Sequence, residues 1–305
     1  LISVITATHD EKYLAEAWES LKGQTHTDWE WVLVPNGNAD IPEGIRDDPR
    51  VAVYPHPGGT IGALKRFACE RARGEIVVEL DHDDLLTPAC LAEVHTALQD
   101  ADLCYSNHAE FVDGTWKPST YNASYGWEYR PFECYGHEFT EIVSFAPDAR
   151  SMGLIWYAPD HVRAWRASAY WEIGGHNAEL AVCDDHDLCS RFYLQKRVKW
   201  IDRCLYLYRR HPDQAFAQPE TNATIQRQTR QLQALYLYRL QERWADLNGL
   251  AKVDLGAAHG KPAKDWVGVD MRPWPGVDHV CEIPPLPFEE HSVGIVRAVD
   301  FLEHV

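Results

Sequence analysis

Four short apolar, β-branched runs open the chain, and the fourth leads straight into Asp81-His82-Asp83-Asp84. The runs are Leu1 to Thr6, Trp29 to Val34, Arg50 to Tyr54 and Glu75 to Leu80, all reading as buried strands. Between them Tyr13 to Leu21 and Ala63 to Ala72 carry apolar residues at helical spacing. Pro35-Asn36-Gly37-Asn38 and the glycines Gly58, Gly59 and Gly62 mark turns. Strands alternating with helices at this spacing predict right-handed crossovers and a mainly parallel sheet with helices on both faces. Ligands of such sheets sit at the carboxyl ends of the strands, where the acidic cluster falls.

Further along, residues 105 to 158 loosen into Trp, Tyr, Gly, Pro and Asn and predict short strands at best. Val162 to Gly175 reads as a helix closed by Gly174-Gly175, and a second helix runs from Asp184-Asp185-His186-Asp187 through Tyr193. A strand from Val198 to Tyr208 ends at Arg209-Arg210-His211. Thr221 to Asn248 predicts one long amphipathic helix, with Ile225, Leu232, Tyr236, Leu240, Trp244 and Leu247 near one stripe and Gly249 as its stop.

Composition bounds the partners. A formal net charge of -17 over 305 residues repels the phosphates of nucleic acid and the anionic leaflet of a membrane, so no nucleic acid is expected. Eight scattered cysteines without a C-x-x-C pair read as reduced thiols, and no signal peptide or bilayer-length apolar stretch is seen, which predicts a cytoplasmic protein.

Asp81 and Asp83, one residue apart at a strand end, can point the same way, and hard oxygen ligands of that kind bind Mn2+ or Mg2+ while leaving positions for phosphate oxygens. Asp184, Asp185 and Asp187 in a first helical turn also suit plain capping by the helix dipole. Lys65 fits a solvated helix residue as well as a donor contact, His211 fits a plain strand end, and Trp165 fits a core position.

The order of elements resembles glycosyltransferase family 2, inverting enzymes with the GT-A nucleotide-sugar fold, over residues 1 to 215. The resemblance is carried by Val4-Ile5-Thr6-Ala7-Thr8-His9 with Leu14, Ser20-Leu21 and Gln24-Thr25, by Trp29 to Val34, by Gly62 to Gly74, and by the acidic motif. It implies a nucleotide-diphosphate sugar donor, UDP-linked by expectation, held by Thr6, Thr8, Asn36, Lys65, Asp81 and His82. It also implies a metal at Asp83 with Asp81 and His211, and an acidic pair, Asp184 and Asp185, of which Asp185 is the catalytic base that activates a glycan acceptor. His161, Trp165 and Arg166, on the predicted helix, would shape the acceptor pocket. Pro35-Asn36 stands where the family has paired aspartates, and His9 replaces the usual asparagine, so the base of the donor is the least constrained feature.

The last stretch changes texture. Asp254-Leu255-Gly256, Val267-Gly268-Val269-Asp270 and Asp300-Phe301-Leu302-Glu303-His304-Val305 are similar to the first half of a class I S-adenosylmethionine methyltransferase, with Gly256 and Asp270 where that family approaches its cofactor. Some 55 residues are too few for a whole doubly wound sheet, so a partial Rossmann-like segment is expected and S-adenosylmethionine binding by this chain is not. The expected division is a GT-A domain over 1 to 215, a linker helix over 216 to 250 and the partial segment over 251 to 305. The leading expectation is an enzyme of polysaccharide biosynthesis. A non-catalytic nucleotide-sugar or glycan binding module, and the front domain of a glycan methyltransferase, are the alternatives.

Overall fold

The computed structural model describes residues 1–37, 39–112, 121, 123–155, 157–257, 260–281 and 285–298. Its chain divides into two compact units, Leu1–Ala234 and Leu235–Val305, and the boundary falls inside one helix.

The first unit runs β1 (Ile2–Thr8), α1 (Leu14–Lys22), β2 (Trp29–Pro35), α2 (Glu43–Arg46), β3 (Val51–Val53), α3 (Ile61–Cys69), β4 (Ile76–Glu79), β5 (Leu85–Leu86), α4 (Cys90–Ala97), β6 (Leu103–Val112), β7 (Glu128–Cys134), β8 (His137–Val143), β9 (Ala164–Arg166), α5 (Ala167–Glu172), α6 (Asp184–Gln195) and β10 (Val198–Arg210). Then α7 (Pro219–Asn248) begins and carries the chain into the second unit. Among the described residues the strands of the first unit form one sheet in the order β3-β2-β1-β4-β9-β6-β10-β5, with β8 on β6 and β7 on β8.

From β3 to β4 every pairing is parallel, and β2 and β4 are buried along their whole length, as continuous apolar runs require when helices cover both faces. Beyond β4 the sheet is mixed: β9 lies antiparallel to β4 and β6, while β10 runs parallel to β6. The large core between α1, α4 and the sheet gathers Trp18, Trp29, Trp31, Leu86, Leu91 and Tyr206. Trp18 stacks on Trp31 with centroids 5.8 Å apart.

Two expectations need correcting here. The stretch from 105 onward, expected to be irregular, contains the ten-residue β6 and the β7–β8 hairpin. Strand β6 hid because it buries Ser106, Asn107, His108 and Glu110, whose polarity breaks the apolar run. Asn107 reveals why this is tolerated: its amide donates to Glu141 at 2.7 Å and to Asp202 at 2.9 Å, and its carbonyl accepts from Ser144 N–H at 2.9 Å. The second correction concerns the helix expected over Val162 to Gly175. The structure has β9 followed by the short α5, because Ala164 to Arg166 are claimed by backbone pairing on two sides.

Helix α3 starts where predicted. The Thr60 hydroxyl accepts from Ala63 N–H at 3.1 Å, capping it. A Cβ on Gly62 would lie 2.1 Å from the Asn177 carbonyl oxygen, so only glycine allows this helix start to pack on the 177–180 turn. On α7, Leu232, Tyr236 and Leu240 are buried as the stripe predicted, whereas Leu247 is 55% exposed.

The second unit holds β11 (Ala251–Leu255), β12 (Val267–Asp270), β13 (His279–Val280) and β14 (Val293–Ala298) in an all-parallel sheet of order β13-β12-β11-β14. Val253, Leu255 and Val269 form its small core. All eight cysteines are free, and no helix among the described residues is long and apolar enough to cross a membrane.

Candidate active site

A cavity of about 370 Å³ opens at the carboxyl ends of β1, β2, β4 and β10, lined among others by Ala7, His9, Asn36, Asp81, Asp83 and His211. The acidic turn between β4 and β5 forms its floor, and each carboxylate there has a different job. Asp84 is fully buried and ties the turn to β10: it accepts from Arg209 N–H at 2.7 Å and from the Tyr206 hydroxyl at 2.9 Å. Burial pushes its carboxyl well up, with Asp83 and Asp81 adding to that and the two hydrogen bonds opposing it. The Tyr206 hydroxyl also accepts from Asp81 N–H at 3.1 Å, so the backbone of the turn is held from the same strand.

Asp83 faces His211, which follows β10, with Oδ2 to Nε2 at 2.8 Å. Arg209 fixes this corner further, donating to the Asp83 carbonyl at 2.7 Å and to Glu16 on α1 at 2.8 Å. Asp81 keeps 36% of its side-chain surface exposed. Desolvation pushes its carboxyl up, Lys65 opposes and Glu79 and Asp83 reinforce, and solvent on the open face moderates the shift. His82 packs against His9 with ring centroids 4.9 Å apart, and burial lowers its basicity.

Below the pocket lies a buried ionic cluster. Glu79, the last residue of β4, is only 2% exposed and pairs with both Lys65 and Arg163. Lys65 also reaches Asp184 at 3.2 Å, and Arg163 reaches Asp185 at 3.1 Å. Burial works against the charge on Lys65, but Asp184 and Glu79 outweigh it and its ammonium is held above the ordinary range. Arg163 places its remaining terminal nitrogen 3.1 Å from His161 Nε2, and that nitrogen is 3.4 Å from Asp81. Burial, then Arg163, holds His161 well below the usual imidazole range, so it is neutral and can accept from the guanidinium.

Glu79, His176 and Asp184 bring one ligand atom each within 4.8 Å of one another, a geometry that could hold a metal ion. The ammonium of Lys65 is already lodged against Glu79 and Asp184, so a cation is supplied by the chain itself. His176 completes the cluster: the Tyr170 hydroxyl accepts from His176 N–H and lies 2.9 Å from its Nδ1, and burial brings its pKa down to about 3.

The structure thus brings Asp81, His82, Asp83, His211, Asn36 and Lys65 to one pocket; Asp184 pairs with Lys65 and Asp185 is joined to it through Arg163 and Glu79, and neither aspartate lines the pocket. Other expectations are displaced. Thr6 and Thr8 are buried, and their hydroxyls donate to the carbonyls of Leu80 and Asp10 instead of facing a donor. Alternation along β1 gives the pocket Ala7 and His9 in their place. Trp165 is a core residue with no exposure, stacked on Tyr170, and Arg166 donates to the Ala101 carbonyl at 3.1 Å; neither lines the pocket. His161 is buried beside Asp81 in a bend before β9, not on a helix. Trp156, Ala258, His259 and the Asp300 to Val305 motif lie outside the described residues.

Sequence reasoning missed Glu79, Arg163 and His176. The first two left a trace: a single carboxylate ending Ile76-Val77-Val78-Glu79, and a single cation in Val162-Arg163-Ala164-Trp165, are charges that burial permits only in pairs.

This architecture, a parallel half joined to a mixed half with an acidic turn at the strand ends, is a GT-A fold. Staphylococcal structures share it: S. aureus TarS 1-349 superposes with a TM-score of 0.55 at 19% identity, covering 80% of this chain and 72% of that one. The same protein in complex with UDP-GlcNAc gives 0.56 at 17% identity, covering 80% and 74%. Residues 3–174 match Glycosyl transferase family 2, and the chain belongs to that family. Among relatives, protein y4gI of Sinorhizobium fredii is 26% identical over 235 residues, 71% of this chain and 23% of its own length. EpsH of Bacillus subtilis is 26% identical over 221 residues, 69% of this chain and 61% of its own. The glycosyltransferase GlyG of Streptococcus pneumoniae is 27% identical over 226 residues, 69% and 71%. The chain therefore spans less than two thirds of the first two relatives.

Proposed function

We propose that the chain transfers a sugar from a UDP-linked donor to a glycan hydroxyl in a single inverting displacement, with Asp185 as general base and a Mn2+ or Mg2+ ion at Asp83, Asp81 and His211. The observation that carries this reading is the common floor of the site. One guanidinium, Arg163, binds Asp185 on one side and, on the other, Glu79, which closes β4 two residues before Asp81. That shared anchor supports reading Asp185 and the acidic turn as parts of one site.

Asp83 and His211 suit the ion. A carboxylate oxygen and an imidazole nitrogen from separate elements already lie 2.8 Å apart at the pocket, and that donor set fits Mn2+. When bound, the ion would neutralise charge on the departing diphosphate. The chain's own part is to present Asp185 to the acceptor hydroxyl, take its proton as that oxygen attacks the anomeric carbon, and hold the acidic turn through Asp84.

A uridine donor is supported by the named TarS complexes with UDP and UDP-GlcNAc, as a fold-level analogy. It is also supported by Asn36, whose amide nitrogen donates to the Thr8 carbonyl at 2.9 Å, leaving its oxygen to accept from a base N–H.

The test is a panel of nucleotide sugars, UDP-GlcNAc and UDP-glucose included, assayed for donor consumption with Mn2+ and with a chelator. Asp185→Asn should bind donor as the parent does and lose about 10²- to 10⁴-fold in turnover. Turnover by Asp185→Asn at the parent rate would remove the base, and indifference to chelation would remove the ion.

We read the second unit as the opening strands of a methyltransferase-like fold, following the linker helix. Gly256 and Asp270 stand at the ends of the adjacent parallel strands β11 and β12, where that fold meets its cofactor. Calorimetric titration with S-adenosylmethionine should show no binding by this chain. A micromolar dissociation constant would make methyl transfer the better reading of this unit.

A further inference from the structure

We infer that Arg163 is a positioning residue that sets where the Asp185 carboxylate stands relative to Glu79 at the end of β4; the inference rests on the reading of Asp185 as the base. Three nitrogens of one rigid, planar group are spent on three different partners. Nε donates to Glu79 Oε2 at 2.8 Å, one terminal nitrogen to Asp185 Oδ2 at 3.1 Å, and the other meets His161 Nε2 at 3.1 Å. Because the guanidinium is planar and delocalised, the directions of its N–H groups are fixed relative to one another. Glu79 anchors the group, and the separation of the other two partners follows from its geometry.

Burial sharpens the argument. Arg163 is 4% exposed, so it neither offers charge to solvent nor reaches a ligand through it, and it lies outside the pocket lining. Glu79 shares itself with Lys65, and Lys65 pairs with Asp184, the residue before the base. Two cations joined by one carboxylate thus grip two neighbouring side chains in the first turn of α6. Asp185 keeps its other oxygen on the backbone N–H of His186 at 2.7 Å, which leaves the plane of its carboxylate determined.

The experiment is a double-substitution cycle on the full chain. Donor binding is measured by titration with UDP in Mn2+, and turnover by consumption of UDP-GlcNAc. Arg163→Lys keeps the charge and loses the fork. It should bind UDP within roughly threefold of the parent and turn over about a hundredfold more slowly, the scale expected when a reacting group is displaced by an ångström. Combined with Asp185→Asn, it should cost nothing beyond Asp185→Asn alone, because a residue acting only through the base has no effect once the base is gone.

A double variant whose loss is the product of the two single losses would overturn the inference. So would an Arg163→Lys protein that turns over at the parent rate, or one whose UDP affinity falls as far as its turnover. Should Arg163→Lys melt below the assay temperature, Arg163→Gln, a neutral planar donor, replaces it with the same expected non-additivity. A parent protein that neither binds UDP nor consumes any nucleotide sugar would instead sink the underlying functional reading, so the two failures are told apart.

Discussion

Asp184 and Asp185 are neighbours in sequence with opposite fates. The side chain of Asp184 is 7% exposed and locked against Lys65, whereas that of Asp185 is 24% exposed and held by Arg163 at only one oxygen. The pair was legible in the sequence as an acidic run opening a helix, but the unequal burial was not, since it is set by residues at positions 65, 79 and 163 that only the fold brings near. Thr6 and Thr8 illustrate a subtler failure: the right strand with the wrong face, because period-two alternation reverses every side chain on a slip of one. The buried histidines carry a measurable consequence. Burial brings His176 down to about 3 and His186 to about 4, while both return to the ordinary imidazole range on unfolding. The unfolded chain therefore binds more protons between about pH 6.5 and those values. Stability should be complete above that range and fall as pH drops through it, by up to about 1.4 kcal/mol per pH unit for each histidine. Urea denaturation at pH 7, 5.5 and 4.5 measures the slope, and His176→Gln should flatten it; an equal slope in both proteins would mean His176 is not the titrating group.

Among the elements, those with a strong period were read well and those shaped by pairing were not. Strands β1, β2 and β4 and helices α1, α3, α6 and α7 fall close to where apolar spacing and turn residues put them. The three-residue β9 was read as helix because nothing local distinguishes Ala164-Trp165-Arg166 from the helical run that follows; its identity comes from β4 and β6 on either side. Strand β6 was obscured by buried polar residues whose partners lie on other elements, as those of Asn107 do at Glu141, Asp202 and Ser144. Helix α3 gives the clearest prediction at this scale. Gly62→Ala would force a methyl into the Asn177 carbonyl, so the turn must retreat, and a loss of about 1–3 kcal/mol is expected. Thermal melting of the variant measures it. An unchanged melting temperature would show that the 177–180 turn moves freely away from α3.

Taken whole, the molecule carries a net charge of -17, which gives the cation proposed at Asp83 a task beyond its own corner: offsetting the field that the proposed anionic donor would meet. Mn2+ added with UDP should raise the melting temperature, since anything bound only by the folded state stabilises it, by about 2.7 kcal/mol at a hundredfold excess over the dissociation constant. Chelation should reverse the rise and Asp83→Asn should abolish it; a rise that survives in Asp83→Asn would mean the ion binds elsewhere. The clasp of Asp84 on Tyr206 and Arg209 has one more consequence, for the order of events during synthesis. The acidic turn leaves the ribosome long before the strand that holds it, with 125 residues between Asp84 and Arg209. A nascent chain that has not yet released β10 already contains the strands of the parallel β3-β2-β1-β4 half but lacks both the tether and His211. The contact of Asp83 with His211 can therefore close only once β10 and the residue after it have emerged.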